Sequence, residues 1–191
     1  DILVRYGMIP SRYSNQKGLF VKPIKLGEVV SAIHSVKHIT PLNTTNSTDL
    51  DVSITYRPAD NSVSMFTTHT LNGESALRYR ALYFYNNAEE RSELLNSVLK
   101  SNYKNAKINL AKAGNFDLKD FEKYNKPLIF SGIVETSELS ETAGQNIILK
   151  IGQVIGLQGE LYQEGKRNYR IYAGYPHSYK RTISFTIPAG F

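Results

Sequence analysis

The chain has 191 residues, of which 41% are hydrophobic and 21% charged, and its formal net charge at pH 7 is +6. These proportions are typical of a globular protein and exclude general disorder. Cysteine is absent, which excludes a cysteine nucleophile, a disulfide framework and a thiolate metal site.

The positive charge is concentrated at the two ends. Residues 1–40 carry six Lys or Arg against two acids, residues 165–191 carry five against none, and residues 41–164 carry twelve against fifteen. A basic surface attracts acidic partners, but the acidic middle or a neighbouring domain would neutralise these ends equally well. Nucleic acid is therefore not the partner that we favour. No apolar run approaches the roughly 20 residues of a transmembrane helix.

The N-terminal segment, residues 1–40, contains short apolar pieces separated by glycine and proline. This pattern predicts short strands and extended connections. We interpret the segment as a linker, the tail of a preceding domain, or an extension packed on the main module, residues 41–191. His34 and His38 lie here among β-branched residues. On a strand they would be roughly 13 Å apart, too far to share one metal ion, so we predict no metal site.

The clearest β signal begins at residue 50. In Leu50–Tyr56 apolar and polar residues alternate, which predicts a strand with one buried face. A turn rich in Pro, Asp and Asn leads into a second predicted strand over residues 63–71. Apolar residues also alternate along Ser75–Tyr85, so we predict a third strand and a three-stranded meander.

The period changes in residues 87–100. Asn87, followed three residues later by Glu90, matches a capping box at the start of a helix. Two apolar pairs at i,i+4 spacing follow between residues 94 and 99, and they predict an apolar stripe along that helix.

Further strands are predicted over five segments: 106–110, 127–134, 146–155, 168–172 and 179–187. Segments 127–134 and 146–155 are apolar on both faces, which is typical of central strands, and the polar stretch Ser137–Gly144 predicts a loop. Short strands without regular helix alternation favour an antiparallel arrangement. The predicted fold is therefore mainly β, an antiparallel β-sandwich with one short α-helix, about residues 87–100, packed on or beside it.

The sequence contains no recognisable catalytic constellation. It lacks the G-x-S-x-G elbow of serine hydrolases and a phosphate-binding loop. Its grouped carboxylates, including Asp117 and Asp120, lie in polar stretches that are typical of solvated surfaces. His69 is predicted at the surface of a Thr-rich strand and His177 in a solvated turn. We therefore predict no catalytic, cofactor-binding or metal-binding residue and no enzymatic activity. A small β-rich enzyme that uses Asp117, Asp120 or His177 is the alternative left open.

Tyrosine is abundant, with 13 residues, whereas tryptophan is absent. Packing across strands explains most of these rings. Aromatic faces can also stack on sugars, and basic residues can bind acidic glycans or peptides. The candidate ligand surface lies near the basic C-terminal end and comprises Tyr169, Arg170, Tyr172, Tyr175 and Tyr179.

Several short motifs occur along the chain in a particular order. From the N-terminal side they are Leu71–Ala76 leading to Arg78 and Arg80, a helix rich in Glu, Arg and Leu over residues 89–99, Pro127 and Leu128 opening a strand, Arg167 and Arg170 before Tyr175 and Pro176, and a last strand that ends in residues 187–191 (IPAGF). In this order, the region of roughly residues 50–191 resembles the C-terminal region of large transglutaminase-like proteins of Bacteroidetes.

The resemblance implies a longer parent chain with an N-terminal β domain, a papain-like transglutaminase core and a β-rich C-terminal domain. The family's catalytic Cys, His and Asp belong to the core, and this chain has no cysteine, so no catalytic residue carries over. We expect a non-catalytic accessory module, cut from an exported transglutaminase-like protein or peptidase of the periplasm or cell surface. It would pack on or position the catalytic domain of the same chain. The alternative is a carbohydrate- or peptide-binding module of a bacterial exported protein.

Overall fold

The structure, a computed structural model, describes residues 10, 13, 15–40, 46–100, 102–120, 126–156, 164–169 and 177–188. These residues belong to two compact units, the first containing residues 10, 13 and 15–40 and the second containing the others. In the described residues the first unit contains a hairpin, and the second contains a five-stranded sheet, a two-stranded sheet and two helices.

The hairpin consists of two ten-residue strands, β1 (Lys17–Leu26) and β2 (Val29–His38), paired antiparallel with Leu26 opposite Val29. Gly27 in the turn has φ +62°, the left-handed conformation that tight hairpin turns require and glycine adopts without strain. The strands predicted here as short pieces are thus longer and paired with each other.

Large apolar side chains are exposed on both faces of the hairpin. From the alternation of side chains and the pairing register, one face carries Leu19, Val21, Val30 and Val36. The other carries Phe20, Leu26, Val29 and Ile33, and all eight of these side chains are exposed. The most exposed, Val30, retains 73% of its accessible surface.

The described residues of the second unit form seven strands. They are β3 (Ser47–Arg57), β4 (Ser62–Asn72), β5 (Lys107–Gly114), β6 (Leu128–Thr136), β7 (Ser140–Ala143), β8 (Asn146–Leu149) and β9 (Ser178–Thr186). Five of them form one sheet in the order β5-β6-β4-β3-β9, while β7 and β8 pair separately. Within the five-stranded sheet β9 runs parallel to β3 and the other three pairings are antiparallel. The sheet is therefore mixed, where the sequence predicted an antiparallel one.

One face of this sheet is the core. The alternating residues Leu50, Val52, Ile54 and Tyr56 of β3 are all buried, which confirms the strand predicted over residues 50–56. They pack with buried residues of β4 and β6, among them Met65 and Val134, and Phe130 of β6 belongs to a second buried cluster with Leu71 and Leu128. On the opposite face β3 is exposed and β6 is half-buried. β6 is a central strand, as predicted, but its second face is only half-buried and not buried as the sequence suggested.

The predicted helix is present as α2 (Ala88–Leu99). Its capping box is complete, because the Glu90 backbone N–H donates to Asn87 Oδ1 at 3.0 Å and the Asn87 backbone N–H donates to Glu90 Oε2 at 2.9 Å. Leu95 and Leu99 are the buried residues of its apolar stripe, so both the boundaries and the buried face of this helix follow the sequence pattern.

The strand predicted over Ser75–Tyr85 is wrong, because these residues form a second helix, α1 (Glu74–Tyr85). Its buried side chains include Ala76 and Arg80, four residues apart and so on the same side of a helix. The rings of Tyr79 and Tyr83 each lie 6.0 Å from that of Phe130. The described part of the chain thus places two helices against one face of the sheet, where the sequence predicted a single helix.

The segment after β6 also differs from its prediction. Ser137–Gly144 was predicted as a loop, but it contains β7, and Gly144 with φ +64° turns the chain into β8. The predicted strand over residues 146–155 ends at Leu149, and Ile151–Ile155 form a 3₁₀ turn that buries Val154. Residues 146–155 therefore do not form the central strand that the sequence predicted. Most of the strand predicted over residues 168–172 lies outside the described residues.

Gly132 marks the point where β6 approaches its neighbours most closely. A Cβ added there would lie 2.6 Å from Leu99 Cδ1 and 2.8 Å from the backbone oxygen of Leu110. Leu110 itself has φ +55° and sits in a β-bulge of β5. Because the backbone oxygen cannot move away as a side chain can, only glycine fits at this position.

We expect Gly132→Ala to lower the free energy of unfolding by about 1–3 kcal/mol through overpacking. Gly152→Ala is the matched control, since no atom lies within 4 Å of a Cβ added there. The measurement is chemical denaturation of the three proteins side by side. Equal stability of Gly132→Ala and the wild type would show that α2 and the bulge of β5 can shift without cost.

Candidate functional site

The starts of β3, α1 and β9 meet at Asn46, which is buried. Its side-chain Oδ1 accepts the Glu74 backbone N–H at 2.9 Å, and its backbone oxygen accepts the Ser178 backbone N–H at 2.9 Å. One asparagine therefore caps α1 and fixes the first residue of β9. Polar side chains from all three elements come together beside this junction.

His177, directly before β9, contacts two hydroxyl groups. Its Nε2 lies 3.1 Å from Thr48 Oγ1 on β3, and its Nδ1 lies 3.0 Å from Ser75 Oγ in the first turn of α1. A hydroxyl can donate or accept, so the imidazole can hydrogen-bond to both partners in its neutral form. His177 was predicted in a solvated turn, but it is half-buried and hydrogen-bonded on both sides.

Arg181 provides the charge of this cluster. Its Nη1 donates to the backbone oxygens of Thr48, at 2.6 Å, and Lys180, at 2.9 Å. Its Nε is buried and has no hydrogen-bond acceptor. The ring of Tyr179 lies 5.3 Å from the guanidinium carbon and 4.4 Å from the ring of His177. Within the described parts of the chain the ion pairs involve Arg57 and Lys150, and none joins a carboxylate to Arg181.

His69 lies in the same layer of the sheet. Leu50 pairs with His69 on one side and with Arg181 on the other, so the two basic side chains share the core face. Burial, helped by the positive charge of Arg181, lowers the pKa of His69 to about 4. His69 was predicted at the surface, whereas it is half-buried on the core face of the sheet.

Burial and the charge of Arg181 also lower the pKa of His177, against a smaller opposing effect of Asp49. At neutral pH both histidines are therefore uncharged, and the guanidinium of Arg181 is the positive charge of the cluster. Arg181 is half-buried, and its buried Nε has no acceptor, so this cluster suits an anionic group better than a cation.

The contacts of Ser75 and His177 differ from those of a serine-hydrolase triad. Ser75 and His177 form a pair with nucleophile-and-base chemistry, but the other imidazole nitrogen contacts a threonine hydroxyl where a catalytic triad has a carboxylate. At the start of α1 the Glu74 N–H is bonded to Asn46 and the Ala76 N–H to the Gly73 oxygen. Neither is available to stabilise an oxyanion, so the contacts are best explained as a structural tie.

The other predicted candidates are placed as follows. Tyr169 and Tyr179 of the candidate ligand surface are exposed, by 87% and 66%, whereas Arg170, Tyr172 and Tyr175 lie outside the described residues. His34 and His38 lie on one strand, β2. The Asp117 carboxylate accepts the Lys119 backbone N–H at 2.9 Å. Across the described ranges no group of three or more His, Cys, Asp or Glu could hold a metal ion.

The comparisons with known proteins gave no relative. No family model matches the chain, and no curated protein or solved structure matches it. Among the helices of the described segments, none has the length and apolar character to cross a membrane.

The titration of His69 generates a prediction about stability. Because the pKa of His69 in the folded chain is about 4 instead of 6.5, the unfolded chain binds this proton more readily. The free energy of unfolding should therefore fall as the pH drops from about 6.5 towards 4, by up to about 3 kcal/mol. In His69→Gln this part of the pH dependence should disappear.

Urea denaturation at several pH values would measure the effect, with His34→Gln in the exposed hairpin as the control that removes a histidine elsewhere. An unchanged pH dependence in His69→Gln would contradict the burial of a neutral imidazole at this position.

Proposed function

We propose that this chain is a non-catalytic accessory module that packs on another domain of the same, longer polypeptide. The parent would be an exported transglutaminase-like protein or peptidase of the periplasm or cell surface, as the sequence resemblance implies. The observation that carries the proposal is the hairpin β1–β2, whose two faces both expose large apolar side chains.

An isolated two-stranded hairpin is marginally stable in water, and exposed apolar patches mark interaction surfaces. In an ordinary surface hairpin one face is apolar and the other polar. Here each face exposes four large apolar side chains. The strands also carry Lys17, Lys22, Lys25 and Lys37 and no acidic residue. A partner domain with apolar and acidic surface fits this composition.

The open face of the five-stranded sheet supports the same proposal. Phe66 is 54% exposed there, opposite the half-buried Ile133 in the register of β4 and β6. A second layer over this face would give the β-sandwich that the sequence predicts. We propose that a domain of the parent chain supplies this layer.

Lysine labelling tests the proposal on the protein as it occurs in its source cells. An antibody against this chain should detect a polypeptide well above 21.5 kDa. In that native protein Lys22 and Lys25 should react with a lysine-specific reagent about tenfold more slowly than in the isolated chain, because the core of an interface excludes water. Lys104 and Lys119, exposed and outside both the hairpin and the strands of the sheet, serve as controls and should react equally in both.

A native polypeptide of 21.5 kDa, or hairpin lysines that react equally in the two proteins, would contradict the accessory role. Amide hydrolysis or transfer by the purified chain that survives a second, independent purification would contradict its non-catalytic character.

The alternative function is a carbohydrate- or peptide-binding module. It rests on the exposed rings of Tyr169 and Tyr179, the second of which lies beside His177 and Arg181. Under this alternative the chain binds acidic glycans on an array, and Tyr179→Ala weakens that binding about tenfold through lost stacking and cation–π contacts. An array without binding would remove the carbohydrate form of this alternative.

A further inference from the structure

Among the described strands, none pairs with the outer edge of β9. β9 is the last strand in the sheet order, with β3 on one side and no described strand on the other. Its nine residues contain no proline, glycine or bulge. The opposite edge strand, β5, is interrupted by a bulge between Asn109 and Ala111. Bulges protect sheet edges from pairing with other chains, so β5 has a protection that β9 lacks.

The core layer beneath this edge is incompletely covered. Ile183 and Phe185 of β9 pack against the core cluster but are only partly buried. Ile187, on the same side by alternation, is 68% exposed. Apolar side chains of a strand added beside β9 would lie next to these three residues and extend the core by one strand.

Charge decides which strand fits. Lys180 lies on the open face of β9 and Arg181 on its core face. The described segments 164–169 and 177–188 are basic, because they contain four Lys or Arg and a single acid, Glu164. A second copy of this edge would bring like charges together, whereas an acidic strand would not. Among the described residues no carboxylate forms an ion pair with Arg181, and its Nε has no acceptor. The pKa values of the neighbouring His69 and His177 are both lowered, which favours their neutral forms.

We infer that an extended acidic segment from outside this module binds along the outer edge of β9 as an added strand. One carboxylate of that segment contacts the guanidinium of Arg181. The ring of Tyr179, which covers the guanidinium, is the side chain that moves aside. This inference rests on the proposed function, because the segment belongs to the polypeptide that the module binds. It uses residues 178–187 and none of the hairpin residues.

The first experiment selects peptides on the full chain. A phage-displayed library of random peptides of about twelve residues, long enough to span the nine residues of β9, is panned against the wild-type protein. We expect enriched peptides without proline, with alternating apolar residues and with Asp or Glu at one of the apolar-face positions. In hydrogen exchange a bound peptide should slow the alternate amides of residues 178–186 that point to the outer edge and leave those of β5 unchanged.

A backbone test identifies strand addition. Along a strand, successive N–H groups point to opposite edges. N-methylation of the synthetic peptide at every second residue should therefore abolish binding at one set of positions and be tolerated at the other set. Equal loss at all positions, or no loss at any, would overturn strand addition.

The matched variants are Arg181→Ala and Lys180→Ala, which each remove one positive charge from neighbouring positions. Arg181→Ala should weaken peptide binding about tenfold or more, since it removes charge-assisted hydrogen bonds, whereas Lys180→Ala should weaken it less than about threefold, as for an exposed charge. Arg181→Lys keeps the charge but not the planar fork, and it should bind with intermediate affinity. Circular dichroism shows whether each variant is folded, and Glu→Gln in the peptide gives the same test without altering the protein.

Several results would overturn the inference. These are equal effects of the two alanine variants, no effect of Glu→Gln, no enrichment of peptides in the selection, and a dimer of this chain that protects β9. None of these results bears on the lysine-labelling experiment on the hairpin. Failure of the strand-addition inference is therefore distinguishable from failure of the proposed accessory role.

Discussion

The hydrogen bonds of Asn46 are the constraint on which the second unit depends. This buried residue caps α1 through its side chain and holds Ser178 through its backbone oxygen, so the start of β3 positions both a helix and an edge strand. Parallel strands cannot be joined by a tight turn, and β9 therefore needs such a fixed point to find its register. With Ser47 opposite Ser178, His177 meets Ser75, and Arg181 is placed beside Leu50.

The electrostatics of the cluster follow from that register. A guanidinium on the core face of a sheet is costly unless its charge is compensated. Two backbone oxygens and the ring of Tyr179 supply part of the compensation, and a cation–π contact contributes about 0.5–1 kcal/mol at an exposed site. His69 adapts by staying neutral, because its protonation would add a second buried charge. The positive charge of this layer is thus the guanidinium of Arg181, whose Nε can still donate a hydrogen bond to an acceptor.

The elements predicted correctly are those whose local period is unambiguous. β3 and β9 alternate strictly, and α2 carries its own capping box. α1 was missed because Ser75–Tyr85 is apolar at most positions, so a period of two and a period of 3.6 both fit. The contacts that favour a helix over a strand here involve residues distant in sequence. They are the Asn46 cap and the packing of Tyr79 and Tyr83 on Phe130.

The site shows the same limit. His69 shares its parity along β4 with the buried Met65 and Leu71, so alternation alone indicates that it faces the core, although a histidine in a Thr-rich strand suggests a surface position. No local signal connects His177 with Ser75, which are 102 residues apart. The parallel pairing of β9 brings them together, and the sequence pattern of a strand does not specify the direction of its neighbour.

A partner with a single apolar surface cannot cover both faces of the hairpin. Its side chains alternate between two faces, and each face carries four exposed large apolar residues, so a domain that packs on one side leaves the other in water. Under the proposed function the partner therefore has to enclose the ribbon or meet it from both sides. This geometry is closer to insertion between layers than to surface docking. An alternation that places apolar residues on both faces is typical of strands buried on both sides.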